Sequence, residues 1–255
     1  MERMGIGLQL FTLRDALAED FEGTLRKVAA MGYEGVEFAG YGDFEAEKLR
    51  DLLQELNLKA IGSHVSLENL ENNLDNEIAY LKTIGGKYVI CPWLPADARD
   101  AEAWLGHLEN FKRYGKHVTE AGLQFAYHNH EFEFEVEIDG QMVFDAMYDR
   151  INSTDLKVEM DIGWVQYSGL DPLAYIGKYA GRLPLLHLKD FRNGHKGEPI
   201  DTVELGRGDL PLMAIIEAAS KAGTEWLIVE QDRCANPPLE SVAESMEWVK
   251  ANYKK

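Results

Sequence analysis

LQFAYHNHE (residues 123–131) begins as an apolar strand and ends in polar side chains, and three later stretches repeat the figure: LKVEMDIGW (156–164), LPLLHLKD (183–190) and EWLIVEQD (225–232). Towards the N-terminus, IGLQLFT (6–12), YEGVEFA (33–39), LKAIGSHV (58–65) and YVICPW (88–93) are further strand-like runs. Each of these eight runs is followed by helix-like sequence. Eight strand–helix repeats are what a closed parallel (β/α)8 TIM barrel needs. Leu67, Leu70, Leu74, Ile78 and Leu81 recur at spacings of three and four and predict one amphipathic helix. Trp104, Leu108, Phe111 and Val118 predict another, and Leu239, Val242, Met246 and Val249 a last one. Gly32, Gly122 and Gly223 stand before strands two, five and eight, where a helix end favours positive φ. No linker-like or low-complexity segment interrupts the rhythm, so residues 1–255 read as a single domain. Phe191–Asp209, rich in glycine and charge, reads as an irregular loop over the barrel mouth.

The 255 residues carry 26 basic and 44 acidic side chains, a formal net charge of -18. A surface of that sign repels phosphate backbones and argues against general nucleic-acid binding. Cys91 and Cys234 form no close-spaced metal pattern and suit a reduced interior. The opening residues show no signal-peptide pattern, and no apolar run is long enough to span a bilayer. The expectation is a soluble cytoplasmic protein without a membrane partner. A homo-oligomer is compatible with the sequence, though no exposed helix stripe selects one.

In a (β/α)8 barrel the chemistry gathers at the C-terminal strand ends. Strands five to eight each finish in metal-capable side chains, and adjacent strands lie about 4.8 Å apart. Taking one ligand per strand gives His128, Asp161, His187 and Glu230 around one divalent ion. Each residue alone has an ordinary structural reading: Asp161 can cap a turn, and His187 can be a satisfied core histidine. Four coincidences on adjacent strands favour the metal. Two imidazoles with two carboxylates suit Mn, Co, Zn or Fe better than Mg. Gln9, Glu37, His64 and Trp93 lie near the other strand ends. Gln9, Glu37, Trp93 and Trp164 are candidates for substrate binding, the tryptophans as an apolar wall against a sugar ring. Arg207, in Gly206-Arg207-Gly208, is a weak candidate for anion recognition.

These motifs resemble the xylose-isomerase-like barrel superfamily, in its sugar phosphate isomerase/epimerase branch. The resemblance rests on GLQLFTLRD (7–15), YHNHEF (127–132), DIGW (161–164), HLKD (187–190) and VEQD (229–232), and it spans nearly the whole chain. It implies one divalent ion, manganese, cobalt or zinc, on Asp161, His187 and Glu230 with His128 in the remaining position. Keto-sugar epimerases of the superfamily carry glutamate where this chain has His128, and often histidine where it has Trp164. A histidine at position 128 is similar to the inosose dehydratase branch and to relatives acting on 3-keto-glycosides. The implied chemistry is proton removal next to the carbonyl of a small carbohydrate or cyclitol. Glu230 is the expected base, and His130 and His64 are the acid/base candidates. Lys189 either adds positive charge at the developing oxyanion or pairs with Asp161, Glu159 or Asp190. Isomerisation or epimerisation is the first expectation, with dehydratase or lyase action as the alternative. A non-catalytic sugar-binding barrel would tolerate loss of these ligands, yet all four are present.

Overall fold

A computed structural model describes residues 3–192, 196–197 and 199–253. Eight parallel strands close into a barrel in chain order: β1 (Gly5–Gln9), β2 (Gly35–Phe38), β3 (Lys59–His64), β4 (Tyr88–Cys91), β5 (Gln124–His128), β6 (Lys157–Asp161), β7 (Leu185–Leu188) and β8 (Trp226–Val229). Helices return the chain between strands, including Phe21–Met31, Ala46–Glu55, Ala101–Glu120, Leu212–Ala222 and Pro238–Asn252. The helices that open at Phe21 and Leu212 close on Gly32 (φ 99°) and Gly223 (φ 86°), in the left-handed conformation that glycine adopts without a Cβ penalty.

Two sequence expectations change. The apolar stripe from Leu67 to Leu81 belongs to two helices, Leu67–Asn72 and Leu74–Thr83, broken at Asn73 (φ -138°, ψ 14°). Spacing of apolar residues continues across the break, so periodicity alone does not reveal it. The stretch 191–209 is not wholly irregular. Asp190–Arg192 pairs antiparallel with Asp201–Val203. Residues 193–195 and 198 fall outside the described set. Among the described residues, no helix is long and apolar enough to cross a membrane.

Alternation along the strands sorts side chains into an outer shell against the helices and a barrel interior. At the N-terminal end the interior is apolar: Ile61, Tyr88, Ile90, Ala126, Leu185 and Ile228, with Trp226 against them. Glycines make room for these large groups. A Cβ on Gly62 would stand 2.6 Å from the Tyr88 carbonyl oxygen and 2.6 Å from Ile90 Cδ1, and one on Gly7 2.4 Å from Ile61 Cδ1. Towards the C-terminal ends the interior turns polar. Strand register sets Gln9 beside Glu37, His128 beside Glu159, and Asp161 beside His187.

Candidate metal centre

The polar interior has two tiers. The upper tier contains the four sequence-predicted ligands: one donor atom from each of His128, Asp161, His187 and Glu230 lies within 4.8 Å of the others, and all four residues are buried. Asp161 ends β6 and caps the helix Ile162–Tyr167, its Oδ1 accepting from Gly163 N at 2.9 Å and Trp164 N at 3.2 Å. The capping and ligand readings therefore coexist on separate oxygens. Asn129 fixes the Asp161 backbone from both sides, through Nδ2 to the carbonyl at 3.2 Å and Oδ1 from the amide at 2.9 Å. Asp161 Oδ2 is buried, 2.7 Å from the Lys189 ammonium and 3.7 Å from His128 Nε2. His187 Nδ1 lies 2.8 Å from Glu230 Oε2. Convergence of these four donors is the feature compatible with a metal ion; the Lys189 ion pair occupies Asp161 Oδ2.

Lys189 is 1% exposed and sits among three carboxylates: Asp161 at 2.7 Å, Glu230 at 2.9 Å and Asp232 at 2.9 Å. Of the partners expected from sequence, Asp161 is met. Glu159 lies a tier lower, and the Asp190 carboxylate accepts from the backbone of residues 206, 208 and 210. Burial pushes Glu230 up, but Lys189 and His187 outweigh it and hold it well below the carboxylate range. Burial dominates at Asp161 and pushes it up to about 6, against the pull of Lys189.

The lower tier is Gln9, Glu37, His64 and Glu159. Gln9 Nε2 donates to Glu37 Oε2 at 2.7 Å, and the same oxygen lies 2.8 Å from His187 Nε2 and 3.1 Å from His64 Nε2. Glu159 Oε1 lies 2.7 Å from His64 Nε2, 3.0 Å from His128 Nδ1 and 3.2 Å from His187 Nε2. Gln9, Glu37 and Glu159 are each fully buried. Burial drives His64 down, but Glu37 and Glu159 overcome it and raise it to about 9, so the imidazole is cationic at neutrality. Burial, reinforced by the neighbouring cation Lys189, lowers His130 to about 3 and keeps it neutral. His130 Nδ1 is buried without a partner.

A cavity of about 520 Å³ opens above the upper tier, lined by Phe11, His64, Trp93, His128, His130, Glu230 and Asp232 among others. A larger groove, about 990 Å³, lies at the opposite end around Tyr33, Glu34, Thr224 and Trp226. The two metal-capable clusters found among the described residues are both at the C-terminal end, where this fold carries its chemistry. Phe11 and Trp93 stand exposed at the mouth, and the Arg99 guanidinium stacks on Trp93 with its carbon 4.8 Å from the ring centre.

Four of the five expected substrate contacts are off the cavity lining, and only Trp93 is on it. Gln9 and Glu37 have no exposed surface and lie beneath the imidazoles, so they do not face the cavity. Arg207 points away and pairs with Glu244 at 2.5 Å. The amides of Gly206 and Gly208 both donate to Asp190 Oδ2 at 2.9 Å. The loop's anion-binding capacity is thus filled by the protein's own carboxylate. Trp164 is half-buried against His130, Tyr167 and Phe191, one step behind the cavity wall. Sequence reasoning gave Glu159 only as a possible partner of Lys189 and not as a site residue, although it stands two residues before Asp161 and so faces the same way. It passed over Phe11, Asp232 and Glu133. Buried Glu133 accepts from Tyr127 Oη at 2.6 Å and His130 N at 2.7 Å, tying down the loop after β5.

Residues 25–252 match the xylose isomerase-like TIM barrel family. The chain belongs to that family. Among curated relatives of this barrel, an inosose dehydratase of Clostridium perfringens is 23% identical over 218 residues, 79% of this chain and 67% of the relative. A solved sugar phosphate isomerase/epimerase from Parabacteroides distasonis superposes with a TM-score of 0.83 at 24% identity, covering 99% of this chain and all of the other. The IolI protein, whose crystal structure holds a zinc atom, superposes with a TM-score of 0.78 at 15% identity, covering 96% of each chain. At these identities the solved structures speak for the shared fold, and the zinc belongs to that relative. In this chain the corresponding observation is its own His/Asp/Glu cluster.

Proposed function

We propose that this protein is a divalent-metal-dependent isomerase or epimerase that removes a proton next to the carbonyl of a sugar or cyclitol, with His128, Asp161, His187 and Glu230 as metal ligands. The supporting observation is the convergence of four donors from adjacent strands at and just beneath the cavity, two of them, His128 and Glu230, on its lining. The two-imidazole, two-carboxylate set favours Mn, Co or Zn over Mg. When bound, such an ion supplies a Lewis acid for the carbonyl oxygen and an adjacent hydroxyl.

The protein's own groups then divide the proton work. Glu230, held ionised and lining the cavity, is the base in this reading and takes the proton from the α-carbon. The C–H pair moves into the new C–C double bond as charge passes to oxygen. Lys189, buried between Asp161, Glu230 and Asp232, adds positive charge on that side. His130 is neutral and suited to accept a proton; His64 is cationic and suited to give one. Return of a proton to the same or the neighbouring carbon completes epimerisation or isomerisation. Trp93 and Phe11 offer apolar faces for the ring, and the acidic surface suits a small neutral substrate better than a polyanion.

A second reading, dehydration of a keto-cyclitol, is favoured by two observations. His64 is held protonated at the cavity edge, ready to protonate a departing β-hydroxyl. The curated relatives quoted above are inosose dehydratases. Metal analysis of the protein purified without added metal, alongside His128→Ala and Glu230→Ala, tests the shared site: one ion per chain is expected, lost or weakened in both variants. Keto-sugars and keto-cyclitols in deuterium oxide then separate the outcomes. Label at the α-carbon with the mass otherwise conserved marks the first reading, and loss of water marks the second. A chain that takes up no ion from Mn, Co or Zn overturns both.

A further inference from the structure

The two tiers share His128 and His187, and each imidazole turns its two nitrogens to different tiers. His128 directs Nε2 up towards Asp161 Oδ2 at 3.7 Å and Nδ1 down to Glu159 Oε1 at 3.0 Å. His187 does the reverse, with Nδ1 up beside Glu230 at 2.8 Å and Nε2 down to Glu37 at 2.8 Å and Glu159 at 3.2 Å. A neutral imidazole carries one N–H and one lone pair. A buried carboxylate beside one nitrogen keeps the proton there once the carboxylate beside the other nitrogen is engaged by the ion, as Glu230 at His187 Nδ1 would be, and the lone pair is then left on that other nitrogen. From this geometry we infer that Glu37 and Glu159 are positioning residues, each fixing the tautomer and ring orientation of a metal-ligating histidine so that His128 binds through Nε2 and His187 through Nδ1.

The layer beneath is built for that task. Gln9 Nε2 clamps Glu37 Oε2 at 2.7 Å, and Gln9 is itself anchored by accepting from Phe11 N at 2.9 Å. His64 bridges the carboxylates, 2.7 Å from Glu159 and 3.1 Å from Glu37, and offsets the repulsion between two buried acids. Both carboxylates keep one oxygen, Glu37 Oε1 and Glu159 Oε2, without a hydrogen bond, so Oε1 of Glu159 and Oε2 of Glu37 carry the contacts to the imidazoles. A competing reading makes the lower tier a second metal site, because donor atoms of His64, His128, Glu159 and His187 also lie within 4.8 Å of one another. Both readings need the downward nitrogens of the same two rings, so they exclude each other.

The inference rests on the upper-tier metal reading, and cobalt separates the two. The whole protein, stripped with chelator, is titrated with Co(II), following the visible d–d bands and obtaining the affinity by competition with a chromophoric chelator. Glu37→Gln, Glu159→Gln and Gln9→Met are treated alike, with circular dichroism confirming the fold; Gln9→Met removes the clamp without altering either acid. One Co(II) per chain is expected throughout. Affinity should fall about ten- to a hundredfold in the glutamate variants, with shifted bands, and by less in Gln9→Met. Two Co(II) per chain in the unaltered protein, or one site whose affinity and bands ignore both glutamate substitutions, overturns the inference alone. No Co(II) site in the unaltered protein overturns the metal reading together with it.

Discussion

Replacing Lys189 with methionine removes an ammonium that is 1% exposed and within 3.0 Å of three carboxylates, while nearly preserving its length. Two of those partners, Asp161 and Glu230, are buried, so deletion leaves negative charge without its counter-ion. Breaking a buried ion pair from one side costs about 3–5 kcal/mol. For a chain of this size about 1 kcal/mol moves Tm by about 2–4 °C, so the metal-free variant should melt roughly 6–20 °C below the parent. The carboxylates can recover part of this by taking up protons. Without Lys189 their folded-state pKa values rise, and a raised carboxylate stabilises the fold only at low pH. The deficit should therefore be larger at pH 8 than at pH 5. A divalent ion stabilises the folded state by binding it, and in the variant it no longer competes with the ammonium for Asp161 and Glu230. Differential scanning calorimetry with and without Co(II) or Zn(II) should show a larger metal-induced rise in Tm for Lys189→Met than for the parent. A metal-free variant melting with the parent, or a metal response smaller than the parent's, would falsify the placement of Lys189 as the internal counter-cation of the metal ligands.

Burial pushes Glu133 up to about 8, so it folds as the neutral acid, and its stabilising contribution is lost as pH rises through that value. Glu133→Gln should flatten the decline in unfolding free energy between about pH 5 and pH 8, each pKa unit of difference being worth about 1.4 kcal/mol, as read by urea titration. Gly62→Ala puts a methyl 2.6 Å from a backbone carbonyl and should cost about 1–3 kcal/mol in the same titration; an unchanged midpoint would contradict the interior packing. Trp93→Ala, at the cavity mouth, should raise KM on the order of tenfold and leave kcat within about threefold once a substrate is found; a fall confined to kcat would move Trp93 from binding to chemistry. Arg207→Ala should leave KM unchanged for any substrate, phosphorylated or not, because its guanidinium pairs with Glu244 outside the cavity.

The barrel was legible because period two in the strands and periods three and four in the helices write themselves into the chain. The upper-tier cluster was legible because polar residues at the end of an apolar strand contradict their surroundings unless they have a task. Asn73 shows where that reading stops: a helix break costs no apolar spacing, so Leu67 to Leu81 looks continuous. Gln9 and Glu37 show a second limit. Their strands are short, and a position near the C-terminal end reads the same whether the side chain faces the cavity or sits one tier below it. Arg207 shows a third. Gly206-Arg207-Gly208 does present amides to an anion, but that anion is Asp190, sixteen and eighteen residues away, and no local pattern announces it.

Depth within the barrel also explains why the acids outnumber the cations. Glu37, Glu159, Asp161, Glu230 and Asp232 surround His64, His187 and Lys189, five carboxylates against three cations when all are ionised. The protein's own groups register the imbalance. Glu159 is driven up by burial and by Glu37, and Asp161 is pushed up to about 6 by burial despite an ammonium at 2.7 Å. A fold that needed only internal balance would be better served by a protonated or amide side chain at one of these places. The surplus of negative charge, two when His187 is cationic and three once it is the neutral ligand proposed above, gathers where the strand ends meet and favours a divalent cation there. Uptake of that ion should therefore release protons from His187, Asp161 and Glu159, and a pH-stat titration with Zn(II) at pH 6 measures the release directly. A titration with tight binding and no protons released would mean that His187 and the carboxylates were already deprotonated and the surplus was balanced by some other means.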